Sequence, residues 1–400
     1  MDGLALQTTE TSSTPRGWHY LQLPGPTNIP ARILNAMNRP AIDQRGKAFA
    51  ELSLGIFEDL KSVFKTEQEI FIFPSSGTGA GEAAIANTLS PGDKVMVFDS
   101  GQFSFFWIEM IKKFGLEPVI METDWCRAPA PEDIQERLEA DTNHDIKAVF
   151  VVHNETSTGT TARIPEIRKA MDAAKHPALF FVDTISSLGS MDFQFDNWGV
   201  DVAIAGSQKG LMLPPGMSFN VVSEKAREAS RSATLPRFYW DWEWMRSMNS
   251  DGFFPYTPAI QMLYGLREAL DMLAEETLPK TFHRHARLGE ATRAAVKAWG
   301  LDLVCDEPSE YSNSVTAVHV PDGVNADALR THIQETYNVG LGGGLARFAG
   351  RTFRIGHMGD VNDVMIMGVL TAIEAALVSL SIPHNPGGAA AAAEHLRLTA

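Results

Sequence analysis

The sequence predicts an α/β protein, with a large domain built on a mostly parallel sheet flanked by helices and a smaller C-terminal α+β domain. Three observations carry this reading. From about residue 70, short apolar runs at 70–73, 94–98, 148–152, 178–182 and 201–205 alternate with helical periodicity, the pattern of buried parallel strands joined by helical crossovers. Several runs end in small or polar residues, at Ser75-Ser76-Gly77, Asp99-Ser100-Gly101, His153-Asn154-Glu155, Asp183-Thr184 and Gly206-Ser207. Beyond about 270 the character changes to longer helical stretches, with strands expected at 314–320 and 352–355, which reads as a second domain. The expected division is a tail over 1–20, a large domain over 21–270, a small domain over 271–385 and a second tail over 386–400.

Composition narrows the function. The 400 residues are 44% hydrophobic, enough for one large core or two smaller ones. Net charge is −15 and no run of Lys or Arg stands out, so the cationic footprint of a nucleic-acid binder is missing. The two cysteines, Cys126 and Cys305, are far apart and show no CxxC spacing, which argues against a zinc site or a disulfide framework and for a reducing, cytoplasmic compartment. Residues 1–14 are polar and rich in Ser and Thr, so neither a signal peptide nor an anchor is expected. The longest apolar stretch, 365–382, contains Glu374 and follows the helix-start residues Asp360 and Asn362; a buried C-terminal helix fits it better than a membrane span. Gly387, Gly388 and the alanines at 389–393 read as a frayed helix or tail.

Ligands of open α/β sheets bind outside the carboxyl ends of the strands, so the chemistry is expected at that rim. The segment Ser75-Ser76-Gly77-Thr78-Gly79-Ala80-Gly81 follows a strand and opens a helix, where free amides and hydroxyls face an anion at the positive helix end. A glycine-rich turn needed for close helix-sheet packing explains the same residues equally well. A dinucleotide site with Asp99 as its ribose-binding acid fails on the third glycine, whose position is occupied by Glu82.

Two later strand ends decide the matter. Taken singly, Asp183 after its apolar run reads as a helix cap and Lys209 as a solvated surface group. Together they meet the needs of a pyridoxal site: a carboxylate to keep the pyridine nitrogen protonated, and a lysine amine to carry the cofactor, both from one rim of the sheet. Lys209 follows a buried strand and precedes Gly210 and the turn Pro214-Pro215-Gly216, so its amine is expected to be desolvated, with a lowered pKa.

On these residues the chain resembles the class V, fold-type I pyridoxal-phosphate aminotransferases, and among them the bacterial serine-glyoxylate group. The resemblance runs from Leu23-Pro24-Gly25-Pro26-Thr27-Asn28 to Phe353-Arg354-Ile355-Gly356-His357, and Gly206-Ser207-Gln208-Lys209-Gly210 is its most specific element. It implies pyridoxal 5′-phosphate anchored on Lys209, with Ser76, Gly77, Thr78 and Gln208 on the phosphate. It further implies Phe103 stacked on the pyridine ring where relatives often carry Trp, Ile185 on the ring's other face and Thr156 on the phenolic oxygen. Arg354 would clamp the substrate carboxylate, a task suited to a guanidinium fork. Family members are homodimers whose partner supplies a segment matching Phe254-Pro255-Tyr256-Thr257; because some relatives carry Tyr where this chain has Phe254, the choice between Tyr256 and Thr257 alone stays open.

The implied reaction is ping-pong transamination of L-serine and glyoxylate to hydroxypyruvate and glycine, with aspartate or alanine as alternative donors. From other classes, Glu82 argues against an NAD-dependent oxidoreductase and the intact Asp183 and Lys209 against a non-catalytic binding protein. A serine hydrolase lacks its GxSxG, since Ile185 stands two before Ser187, and Cys305 is not in a desulfurase loop motif. His283 and His285 are two apart in a helical stretch and are expected to be surface residues, not metal ligands. The aromatic run 238–244 is expected to fill a core or a dimer interface.

Overall fold

The computed structural model describes residues 17–399, so the expected N-terminal tail falls mostly outside the described residues. The strands in chain order are β1 (Tyr20–Gln22), β2 (Glu69–Phe73), β3 (Lys94–Asp99), β4 (Glu117–Glu122), β5 (Ile146–Val152), the short pair β6 (Asn154–Glu155) and β7 (Thr160–Thr161), β8 (Leu179–Asp183), β9 (Val202–Gly206), β10 (Ser218–Val222), β11 (Val315–His319), β12 (Val339–Gly343) and β13 (Thr352–Gly356). Seven of them form the main sheet in the order β2-β10-β9-β8-β5-β3-β4. The run β9-β8-β5-β3-β4 is parallel, whereas β10 lies antiparallel to both β9 and β2. β5 and β8 are almost wholly buried apolar runs, as strands with helices on both faces must be.

Two strands of the main sheet were not expected from the sequence. β4 is a half-exposed edge strand with charged ends, and its weak apolar pattern hides it. β10 follows β9 through the turn at Pro214-Pro215-Gly216, and so short a return brings it back antiparallel, without a helical crossover. The parallel connections all deliver the C-terminal ends of β2, β3, β5, β8 and β9 to one rim.

The second sheet has the order β1-β12-β13-β11. β1 pairs in parallel with β12, Tyr20 opposite Val339. The residues at 20–22, expected at the junction of tail and large domain, therefore complete the small sheet. A second hydrophobic cluster drawn from residues 288–396 packs around Trp299 and Phe353, separate from the main cluster drawn from residues 33–273. A third, of Trp125, Val304, Ala317 and Phe348, joins the two parts of the chain.

The apolar stretch at 365–382 forms a helix over Asp363–Ser379 whose start is capped by the Asn362 side chain. No helix among the described residues is long and apolar enough to cross a membrane. The segment expected to be a frayed helix or tail is a helix, Gly388–Leu398, with Ala392 and Leu396 buried in the second core. Glu374 explains it: its carboxylate accepts from the amides of Gly387 at 2.6 Å and Ala389 at 2.8 Å, satisfying the helix start. Gly388 is required there because a Cβ would run into the Trp299 indole. His285 also departs from expectation. It is buried, with Nδ1 on the Thr281 carbonyl at 2.6 Å and Nε2 accepting from the Gly359 amide at 3.0 Å, while His283 is exposed. The aromatic run divides: Trp242 stacks on Phe71 in the core with centroids 5.7 Å apart, whereas Phe238 is 75% exposed.

Ending the chain at residue 385 strips Leu396 from the second core. Burying one leucine is worth about 1.5–3 kcal/mol, so the urea midpoint of the truncated protein should fall measurably. An unchanged midpoint would mean that the last helix adds nothing to the second core.

Candidate functional site

Asp183 ends β8 and Lys209 lies three residues beyond the end of β9, the neighbouring parallel strand. Both are 7% exposed. The Asp183 carboxylate accepts from Trp107 Nε1 at 3.0 Å and from the Ile185 amide at 2.8 Å. Burial nevertheless lifts its pKa to about 6, with the nearby Glu155 charge adding to the rise and Lys209 opposing it. Burial, aided by the charge of Arg354, lowers the Lys209 amine to about 8. Lys209 Nζ donates to the Pro24 carbonyl. Gly25, at φ +91°, has no side chain because the Lys209 side chain fills the space a Cβ would need. The stretch around Pro24 to Thr27 thus lies over the lysine, with the Thr27 amide on the Gln208 carbonyl at 3.1 Å.

Arg354 comes from the small sheet, in the middle of β13, and is equally buried. Nε donates to the Gly343 carbonyl at 2.8 Å and Nη1 to the Thr156 carbonyl at 3.0 Å. Two neutral acceptors hold the fork without neutralising it, and burial lowers its pKa to about 10. Thr156 Oγ1 donates to Ser186 Oγ at 2.8 Å, as does Asn154 Nδ2.

Glu155 was not singled out in the sequence as a site residue. Its buried carboxylate accepts from the amides of Phe103 at 3.2 Å, Ser104 at 3.0 Å and Ser157 at 3.0 Å, and from Ser157 Oγ at 2.6 Å. Phe103 opens the helix Gln102–Lys113, which also carries Trp107 one turn on. That i, i+4 spacing was the available signal for Trp107; for Glu155 the only signal was an acid among small polar residues after a strand.

Ser76, Gly77 and Thr78 stand at the start of the helix Gly77–Thr88, whose N-cap makes no side-chain hydrogen bond. Ser76 and Thr78 are exposed. A Cβ on Gly77 would meet Ile185, so the two residues are in direct apposition. Gln208 is half-buried, and its Oε1 has no protein partner among the described residues. Thr257 is exposed in the loop before the helix Ile260–Glu276, and none of the hydrogen bonds among the described residues joins it to this cluster. Beside it Tyr256 stacks on Tyr239 with centroids 4.3 Å apart, its buried hydroxyl accepting and donating no hydrogen bond among the described residues. Phe254 belongs to the core, packed on Phe49 and Phe57. Asp99, the acid weighed for a dinucleotide, takes Trp125 Nε1 at 3.0 Å and pairs with Arg347 of the small domain at 2.5 Å.

A desolvated amine, a desolvated carboxylate on the adjacent strand end, an uncapped helix start and a guanidinium reaching in from the small sheet define an α/β enzyme site of the group-transfer class. The chain belongs to the class-V aminotransferase family, which matches residues 19–349. It is 50% identical over 388 residues to the serine-glyoxylate aminotransferase of Methylorubrum extorquens, covering 95% of this chain and 96% of that one. It is also 45% identical over 379 residues to the L-aspartate-glyoxylate aminotransferase of Paracoccus denitrificans, covering 94% and 96%. Among solved structures, the ureidoglycine-glyoxylate aminotransferase of Bacillus subtilis superposes with a TM-score of 0.88 at 28% identity, covering 96% of this chain and 100% of that one.

The shifts set a pH dependence. Between its ordinary 3.8 and about 6, Asp183 keeps in the folded state a proton that the unfolded chain has released, so it lowers the stability of the cofactor-free protein as pH rises through that window. Lys209 acts in the opposite sense between about 8 and 10.5, where the unfolded chain holds the extra proton and stability rises with pH. The buried His153, His285 and His357, neutral down to about 4, 4 and 3, make stability rise with pH in the acid range. The difference between wild type and Asp183→Asn isolates the carboxyl. In urea titrations of cofactor-free protein from pH 4 to 6.5, the variant should gain stability relative to wild type as pH increases. A constant difference would mean that Asp183 titrates normally.

Proposed function

We propose that the protein is a pyridoxal 5′-phosphate-dependent aminotransferase, working as a homodimer in the cytoplasm, that transfers the amino group of L-serine to glyoxylate and forms hydroxypyruvate and glycine. One observation carries the chemistry: a buried lysine and a buried carboxylate project from the C-terminal ends of adjacent parallel strands. The surroundings suit the cofactor. The uncapped start of the helix Gly77–Thr88 offers amides to a phosphate, beside the hydroxyls of Ser76 and Thr78 and the amide of Gln208. Phe103 and Ile185 are assigned to opposite faces of the ring, Thr156 to its phenolic oxygen, and Thr257 of a second copy to the phosphate.

When bound, pyridoxal phosphate supplies an electron sink for the electrons of the bond broken at the substrate's α-carbon. Lys209 would hold the cofactor and, when its amine is free, would take up on Nζ the proton that leaves the substrate's α-carbon; a pKa near 8 leaves part of the amine neutral at neutral pH. Asp183 would keep a proton on the ring nitrogen of the bound cofactor, and that positive charge would in turn favour the ionised carboxylate that burial alone disfavours. Arg354 keeps its guanidinium plane fixed through the Gly343 and Thr156 carbonyls and offers Nη2 to the substrate carboxylate. The Pro24 to Thr27 stretch covers Lys209 and restricts water there.

Serine as donor is supported by the similarity to two bacterial serine-glyoxylate aminotransferases, at 50% and 47% identity. Aspartate is the second reading, favoured by the 45% identity to the Paracoccus enzyme.

Borohydride should bleach the yellow protein and leave the cofactor irreversibly attached to the peptide containing Lys209, as read by mass spectrometry. Lys209→Ala should lose roughly 10²–10⁴-fold in turnover or more with the fold intact; full turnover in that variant would sink the mechanism. The donor is tested by glycine formation from glyoxylate with serine, alanine and aspartate in parallel. The highest specificity constant with serine upholds the assignment, and a win for aspartate leaves the cofactor chemistry standing with the other donor.

A further inference from the structure

We infer that Glu155 is a positioning residue for the cofactor site: by capping the helix Gln102–Lys113 it fixes Phe103 as the wall on which the cofactor ring stacks. This rests on the reading of the site as a pyridoxal-phosphate site. The helix begins after Gly101, which has no side chain to cap it, and no cap bond comes from that position. The first-turn amides of Phe103 and Ser104 donate instead to a carboxylate 52 and 51 residues away in sequence. Gly101 makes this approach possible, because a Cβ there would collide with the Glu155 carboxyl group. The Ser157 hydroxyl completes the arrangement, donating to Glu155 Oε1 at 2.6 Å while accepting from the Gln102 amide at 3.0 Å.

The chemistry of the contacts asks for a carboxylate and not merely for bulk. All four groups that face the two oxygens are donors, and a negative charge at a helix N-terminus is stabilised by the helix dipole. Glutamine has nearly the same shape, but its NH2 would have to face either the Ser104 amide or the Ser157 amide, leaving donor against donor. The same hairpin carries Thr156, whose carbonyl holds Arg354. The arginine and the aromatic wall are therefore referred to one short segment, and a shift at Glu155 displaces Phe103 first.

The test is a double-mutant cycle on pyridoxal-phosphate affinity, with the near-ultraviolet and visible circular dichroism of the bound cofactor as second readout. Glu155→Gln should weaken binding roughly tenfold, on the scale of one or two charge-assisted hydrogen bonds, and reduce the cofactor's induced dichroism. Phe103→Leu should weaken it on its own, and adding Glu155→Gln to Phe103→Leu should change little further. Additive losses, or unchanged affinity in Glu155→Gln, overturn the inference. Should Glu155→Gln fail to fold, Ser157→Ala removes one donor and should weaken binding by roughly threefold, again only while Phe103 is present; a loss independent of Phe103 overturns it equally. If the wild-type protein takes up no pyridoxal phosphate, the functional reading itself falls, an outcome distinct from the others.

Discussion

The placement of Asp183 and Lys209 on the ends of neighbouring parallel strands is the constraint around which the rest of the molecule is arranged. Opposite charges withdrawn from water at one rim cost free energy that their mutual attraction only partly offsets, which is why one pKa rises to about 6 and the other falls to about 8. The surroundings limit the cost. Trp107 and the Ile185 amide donate to the carboxylate, and the Pro24 carbonyl receives the amine. A site held in this unrelaxed electrostatic state is suited to a ligand that brings a protonated ring nitrogen to one group and a carbonyl to the other.

The second domain serves that rim. β13 carries Arg354 to it, and the guanidinium is bonded to a carbonyl of each domain, Gly343 on one side and Thr156 on the other. Farther out, Arg347 pairs with Asp99 and lies over the Trp125 ring at 4.5 Å, while Phe348 meets the same indole edge-on. The acid that a nucleotide reading would have placed on a ribose thus ties the small domain to the end of β3. The N-terminal stretch crosses between both parts, pairing β1 with the small sheet and then passing over Lys209.

How legible each part was in the sequence follows from the range of the interaction behind it. Asp183 and Lys209 could be singled out because one ends an apolar run and the other stands three residues past the end of the next, and a run's end is a local property of the chain. The helix Asp363–Ser379 could be found for the same reason, with Asn362 as its cap. Glu155 was hidden because it acts on a helix more than fifty residues upstream. His285 looked superficial because its helix position says nothing about the Gly359 amide that packs against it. The last segment read as a frayed helix or tail because a run of alanines has no pattern of its own; Glu374 and Trp299 make it part of the core.

The sequence by itself therefore determined the alternation of strands and helices, the rim at which small and polar residues gather, and the places of Asp183 and Lys209 on that rim, since all of these rest on hydrophobic periodicity and its interruptions. Only the tertiary structure decided which groups surround that pair: the carboxylate that caps the helix of Phe103, the carbonyls that hold Arg354, and the assignment of β1 and the last helix to the second domain. Those contacts join residues far apart in the chain, and they form only once the strand order and the packing of the two domains have brought the segments together.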